Sequence, residues 1–327
     1  MDGRITLDIE GIMGDLEETP TALTEKYLEM LEDEEEEDPR EPALRPSSMP
    51  FCSIILLNAY IAWYHGEGSW GMSGDFYTSI GTQVHEIIQK WIPRQGDLVG
   101  NWVCPACEKT RKVTTENECE CGSMMNYEEI EVRYQGVTGH IDTVLLLESL
   151  KYLICDYKTS SMKKILAVKE AENDEDRDKA IDRLVSKNYL VQILVYALIC
   201  EELYGWEIEG CSLLFIPRDN PFEPLEVFVP WTRKRKHQVE HFLKSQVTAF
   251  KAAKLSFDTL DYKPAVKNRA CKNQKHYDRQ IAPYFPYGGC QLQAVCVITE
   301  SLKPVSGYLK KELDFIREDE AKKKESQ

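Results

Sequence analysis

The sequence predicts an α/β domain, on three observations. Apolar residues at helical spacing mark helices over 53–64, 80–92, 187–204 and 232–255. Strand-like runs lie at 136–147, 152–159, 211–217 and 225–229, and they alternate with the helices along the chain. At 327 residues, with 43% hydrophobic and 10% aromatic side chains, the chain can hold one large domain carrying smaller insertions around a sizeable core.

Residues 1–44 predict an acidic N-terminal tail. They hold sixteen Asp/Glu against three Lys/Arg, and the run Glu32 to Asp38 repels itself too strongly for a core. Tyr27, Leu28 and Leu31 offer at most one amphipathic turn. The folded body is expected from residue 45 to 300. Its first helix is Ser53 to Tyr64, and a Gly-rich loop follows over Gly66–Gly74. In the next helix Val84, Ile87, Ile88 and Trp91 form the apolar stripe, His85 lies beside it, and Pro93 ends it. The runs 136–147 and 152–159 read as one antiparallel hairpin, turning at Glu148-Ser149-Leu150-Lys151. A charged stretch over 163–185, helical or mobile, precedes the strongly apolar helix 187–204. Residues 301–327 read as a charged, helical C-terminal tail that frays at its end.

The net charge of −15 argues against a nucleic-acid partner only until it is located. The first 44 residues carry −13 of it, leaving about −2 for the rest, and residues 215–280 hold fourteen Lys/Arg against seven Asp/Glu. The C-terminal third can therefore supply phosphate contacts. No stretch approaches the roughly 18 apolar residues of a membrane span, and there is no basic-then-apolar leader, so no membrane partner and an intracellular, cytoplasmic setting are expected.

In a reducing compartment, eleven cysteines favour metal sites over disulfides. Residues 101–127 are short, polar and cysteine-paired, and predict an inserted minidomain. Cys104-x2-Cys107 and Cys119-x-Cys121-Gly122 have the close spacing of a zinc ribbon or knuckle, although the second pair is tighter than usual. Tetrahedral thiolate coordination suits Zn²⁺, which would replace the core so short a segment lacks; free thiols in a polar loop are the alternative. Cys155, Cys200 and Cys211 sit in apolar runs and read as core thiols.

Alternation along the strand ending Ile154-Cys155-Asp156-Tyr157-Lys158-Thr159 puts Asp156 and Lys158 on one face. Asp142, from Gly139-His140-Ile141-Asp142, can be brought opposite Asp156 by the hairpin. Two carboxylates then face one Mg²⁺ or Mn²⁺, both of which prefer oxygen ligands. Alone, D-x-K also describes a salt bridge at a strand end. His85 alone also describes a structural histidine, and Gln192 with Tyr196 a hydrogen-bonded pair on a helix face.

The order of these motifs carries more than any one of them. Gly81-x3-His85, Gly139-x2-Asp142, Asp156-x-Lys158 and Gln192-x3-Tyr196 follow one another as in the RecB-like exonuclease branch of the PD-(D/E)XK nucleases, which the chain resembles over roughly residues 45–300. The resemblance implies a restriction-endonuclease-like core, a central mixed sheet flanked by helices, here with the zinc-ribbon insertion. It also implies a Mg²⁺/Mn²⁺-dependent deoxyribonuclease acting on DNA ends, single-stranded by preference, in recombination, repair or replication. A structure-specific endonuclease, or a DNA-binding or assembly protein with secondary catalysis, are the other readings. On the same basis His85, Asp142 and Asp156 would be metal ligands with the Tyr157 carbonyl. Lys158 would act on the nucleophilic water, and Gln192 and Tyr196 would position the site or touch the strand.

One early cysteine, Cys52, and three late ones, Cys271, Cys290 and Cys296, are similar to the iron–sulfur subset of this branch, which includes stand-alone phage and CRISPR-associated nucleases. The resemblance implies a [4Fe–4S] cluster joining the two ends of the domain, in a prokaryotic or viral setting. Cys271 is separated from Cys290 by eighteen intervening residues, farther than the usual spacing, so zinc or four reduced core thiols are alternatives. For DNA contacts, Arg233 to Lys236, Lys263, Lys267, Arg269, Lys272, Lys275 and Arg279 interleave with Trp231, Tyr262, Tyr277, Tyr284, Phe285 and Tyr287. Cations with aromatics suit a single strand; a solvated helix face with core aromatics has the same composition.

Overall fold

Strands β1 (Leu98–Val103), β2 (Thr110–Thr114), β3 (Asn126–Glu128), β4 (Ile130–Tyr134), β5 (Val137–Ile141), β6 (Thr143–Leu146) and β7 (Tyr152–Ser160) make up the first half of the fold. A helix, α1 (Ser53–Tyr64), precedes them. After β7 come α2 (Met162–Lys169), α3 (Asp174–Leu184), α4 (Lys187–Tyr204), β8 (Ile208–Pro217), β9 (Leu225–Pro230), α5 (Arg233–Asp258) and α6 (Lys303–Glu325). This computed structural model describes residues 41–48, 53–66, 83–85, 87–88, 97–260 and 303–325. The expected tail before residue 41, the loop beyond Gly66, Gly81, and all four of Cys52, Cys271, Cys290 and Cys296 lie outside them. So do the cations and aromatics expected between Tyr262 and Tyr287.

The fold is α/β, with a mixed central sheet flanked by helices. Its strands run in the order β2-β1-β6-β7-β8-β9, with β3 also paired to β1. Every pairing is antiparallel except β7 with β8, where α2, α3 and α4 supply the crossover. The central strands explain why apolar runs dominated the sequence. β7 and β8 are flanked by strands on both sides and covered on both faces, so Ile154, Cys155, Cys211, Leu213 and Phe215 are all buried. α4 packs on this layer through Ile193, Val195, Ala197 and Ile199. Ser186 opens it by accepting the Tyr189 N–H, and Gly205, at φ 66°, closes it in the left-handed conformation.

Two sequence expectations change, and two are met with added detail. The run 136–147 is two strands, not one. β5 pairs with β4 around the Gln135-Gly136 turn, where both residues have positive φ, whereas β6 pairs with β7. The chain breaks at Asp142, whose carbonyl accepts from the hydroxyls of Tyr127 and Thr143. Secondly, residues 101–127 are not a separate insertion, because β1 runs through the boundary. Leu98 and Val99 pair with β6 of the central sheet, while Trp102 and Val103 pair with β2 and β3. Thirdly, the charged stretch 163–185 is two helices, the second capped by Asn173, which accepts the Asp176 N–H. Fourthly, the helix expected in the C-terminal tail forms over Lys303–Glu325 as α6, and it is packed rather than standing apart. Leu309, Leu313 and Ile316 of α6 are buried, and α6 meets α1 through Tyr64 Oη to Asp319 (2.8 Å) and His65 to Glu312 (3.4 Å). Among the described residues no single helix is long and apolar enough to cross a membrane.

Candidate metal centre

Among the described residues, two groups of side chains could hold a metal ion. The first gathers the thiols of Cys104, Cys107, Cys119 and Cys121. Cys104 Sγ lies 3.6 Å from Cys121 Sγ, and Cys107 Sγ lies 3.5 Å from Cys119 Sγ. These are far beyond a sulfur–sulfur bond, and close to the roughly 3.8 Å edge of a tetrahedron with metal–sulfur bonds near 2.3 Å. Each pair is carried by a tight turn. The Glu108 N–H reaches Cys104 O and the Gly122 N–H reaches Cys119 O, and Glu108 and Gly122 both have positive φ. Burial alone would raise the Cys104 thiol. The N–H groups of Ala106 and Cys107 outweigh it and hold the thiol low, at about 6, which favours the ligating thiolate. This four-cysteine cluster can bind one metal ion, as its spacing predicts. Cys104 and Cys119 are packed with Leu98, Trp102 and Met125 into a small core of their own.

The second group is His85, Glu129 and Asp142, with one ligand atom of each within 4.8 Å of the others; Asp156 lies next to it on β7 but is not one of the three. β6 meets β7 with Thr143 opposite Cys155, which brings Asp142 level with Asp156. Asp142 Oδ2 accepts the backbone N–H of Tyr157 at 2.9 Å and lies 3.5 Å from His85 Nδ1. The other ring nitrogen, His85 Nε2, is 2.9 Å from the Tyr157 carbonyl. That is a hydrogen-bond distance, and also about the separation of adjacent ligands on an octahedral ion with ~2.1 Å bonds. Lys158 Nζ sits 2.6 Å from Asp156 Oδ2, donates to Gln192 Oε1 at 3.3 Å, and lies over the Tyr189 ring. The acid and the lysine two residues apart therefore do share a face, and α4 holds the lysine from above. Cys155 and Tyr157 point the other way, with the Tyr157 hydroxyl 2.6 Å from Thr143 Oγ1.

Asp156 tests whether these residues suit a cation. It is 2% exposed; Oδ1 has no partner, and Oδ2 has only the Lys158 ammonium at 2.6 Å. Burial pushes its carboxyl up to about 6, with Asp142 adding to the push and Lys158 opposing it. A hard cation beside two carboxylates would meet that unpaired oxygen demand, so the donor set fits. Burial works against the charge on Lys158, but Asp156 and Asp142 outweigh it and hold the ammonium above its usual value. Burial likewise disfavours the charged His85 ring, and Asp142 reverses the sign so that its pKa is raised.

Gln192 and Tyr196 lie one helical turn apart on α4, as expected, but do different work. Gln192 holds Lys158. Tyr196 is 4% exposed and packs against Gly139, where an added Cβ would meet its hydroxyl at 2.6 Å. This explains why a glycine stands three residues before Asp142. Two contributors escaped the sequence reading. Tyr127, beside the cysteines, donates to the Asp142 carbonyl at 2.9 Å and packs over Gly100. Glu129 lies with His85 and Asp142 in one group of converging ligand atoms. The signal was the acidic pair Glu128-Glu129 directly before the alternating Ile130 and Val132, in a stretch the sequence reading passed over.

The basic run is elsewhere. α5 begins beside Pro230, which pairs with Gly210; Asp156 lies opposite Leu213, about 10 Å farther along the strand. Lys236 pairs with Glu201 and Glu202, Arg235 bonds the Pro230 carbonyl, and Trp231 donates to Glu201. Arg233 and Lys234 are exposed and line a surface hollow with His237 and Glu240. His140, opposite Glu131 on β5, faces solvent.

Comparison with known proteins adds little to this geometry. No family model matches the chain, and no curated protein does. A solved structure described as the crystal structure of SSO0001 is similar at a TM-score of 0.30 and 13% identity, over 69% of this chain and 83% of that one. Likeness at that level assigns neither a fold family nor an activity.

Proposed function

We propose that the chain is a divalent-metal-dependent deoxyribonuclease with a RecB-like PD-(D/E)XK core, acting on DNA ends with a preference for single strands, in recombination, repair or replication. The observation that carries this reading is the approach of His85, from a helical segment, and Asp142, from the break between β5 and β6, to the β7 segment Asp156-Tyr157-Lys158, in the motif order of that family. His85, Asp142 and Asp156 would hold Mg²⁺ or Mn²⁺, whose charge would polarise the scissile phosphate. Lys158, kept protonated by its two carboxylates and steered by Gln192, stands beside them to orient the attacking water and offset charge developing on phosphorus. Zn²⁺ is the ion proposed for the four-cysteine cluster, on its near-tetrahedral sulfur spacing. For Cys52, Cys271, Cys290 and Cys296 the proposed [4Fe–4S] cluster rests on their order in the sequence alone.

The test compares end-labelled linear with circular single-stranded DNA in Mn²⁺, for the wild type and Asp156→Ala. Wild-type cleavage of linear DNA only, lost in the variant, is the expected result. Cutting of circles would make it an endonuclease. Equal inertness of both proteins would leave DNA binding as the function.

A further inference from the structure

We propose that Glu129 is a further ligand for the divalent cation, binding it together with His85 and Asp142. The inference rests on the reading of this site as a cation centre and adds a residue that none of the four motifs contains.

The backbone places Glu129 where a ligand is needed. β4 and β5 pair with Ile130 opposite Ile141. Glu129 is the residue before Ile130 and Asp142 the residue after Ile141, so the same register sets the two carboxylates opposite each other at the end of the ladder. Like charges in directly opposed positions destabilise a strand pair, and a cation between them reverses the sign. One ligand atom from each of His85, Glu129 and Asp142 lies within 4.8 Å of the others, with Asp142 buried and the other two half-buried. A second observation points to the same ion. Asp156, opposite Asp142 where β6 meets β7, is 2% exposed; its Oδ1 has no partner, and its Oδ2 has only the Lys158 ammonium at 2.6 Å.

The position of Glu129 is built in rather than incidental. Asn101 Nδ2 donates to its backbone carbonyl at 2.9 Å, and Asn101 belongs to β1, the strand that leads into the four-cysteine cluster. Two residues away, Tyr127 holds the Asp142 carbonyl. One short segment therefore carries a ligand of its own and braces the carboxylate opposite it.

Titration of the full-length protein with Mn²⁺ alone, followed by calorimetry and by loss of the free-ion electron paramagnetic resonance signal, tests this. Glu129→Gln is expected to weaken binding about tenfold or more, whereas Glu128→Gln, one residue away and exposed, leaves it unchanged. The metal-free melting curve separates a ligand from a brace: Glu129→Gln should melt with the wild type or above it, because the amide relieves the repulsion from Asp142. Unchanged Mn²⁺ binding in Glu129→Gln overturns the proposal, and so does a metal-free midpoint that falls along with the binding. If the wild type binds Mn²⁺ and cleaves DNA while Glu129→Gln binds equally well, only this inference fails. If the wild type takes up no Mn²⁺, the reading of the whole centre fails with it.

Discussion

Asp156→Asn is expected to lower Mn²⁺-dependent DNA hydrolysis by on the order of a thousandfold or more, together with a loss of Mn²⁺ affinity. The reason lies in where Asp156 sits. It is held on a central strand, 2% exposed, with no partner for Oδ1 and only the Lys158 ammonium for Oδ2. The amide keeps the shape but cannot bring the charge. The same placement sets a pH dependence. Its carboxyl titrates near 6, above its ordinary value, because burial disfavours the ion. Below that pH a proton occupies the ligand, so Mn²⁺ affinity falls up to about tenfold per pH unit and levels off above it. The His85 pKa is raised as well, and an imidazolium cannot ligate, so the fall steepens where both groups are protonated. Calorimetric titration from pH 5 to 8 checks the sign. Affinity that rises on acidification would contradict the assignment.

Removing the thiolate cluster should reach the carboxylate site. Cys104→Ser, or chelation of the metal, is expected to unfold the segment between β1 and β3, because its core is only Leu98, Trp102, Met125 and the buried cysteines. Segments this small depend on their ion for stability. The loss should not stay local. Tyr127 bonds the Asp142 carbonyl and Asn101 bonds the Glu129 carbonyl, so both carboxylates lose a fixed backbone when β1 and β3 loosen. Limited proteolysis between residues 104 and 125 should appear first, with Mn²⁺ affinity falling about 10- to 100-fold, the usual effect of losing support around a ligand. A chelated protein that is cut in this segment yet binds Mn²⁺ as before would show the two sites to be independent.

The alternation of Asp156 and Lys158, and the helical spacing of Gln192 and Tyr196, were legible because period two and period 3.6 are local properties. The break at Asp142 was not, since it follows from hydrogen bonds to Tyr127 and Thr143 that form only when the strands assemble. Glu129 was hidden for the same reason, as its partner in register is thirteen residues away across the β4–β5 turn. The C-terminal helix is a different case. Leu309, Leu313 and Ile316 recur at i, i+4 and i+7, an apolar stripe that fits the helix expected there, while the density of Lys and Glu around it hid that the helix is packed. The basic run divides, with Arg233 and Lys234 exposed and the other two cations engaged within the fold. Charge density at Arg233–Lys236 suggested a nucleic-acid surface, while Lys236 is committed to Glu201 and Glu202, and Arg235 to the Pro230 carbonyl.

Lys158→Met separates binding from chemistry, and so tests the central claim most directly. With the competing ammonium gone from beside Asp156, the variant should bind Mn²⁺ at least as tightly as the wild type. Its turnover on single-stranded DNA should fall by about a hundredfold or more. Retained binding with lost turnover is the result this account predicts. Turnover equal to the wild type, at full Mn²⁺ occupancy, would contradict it.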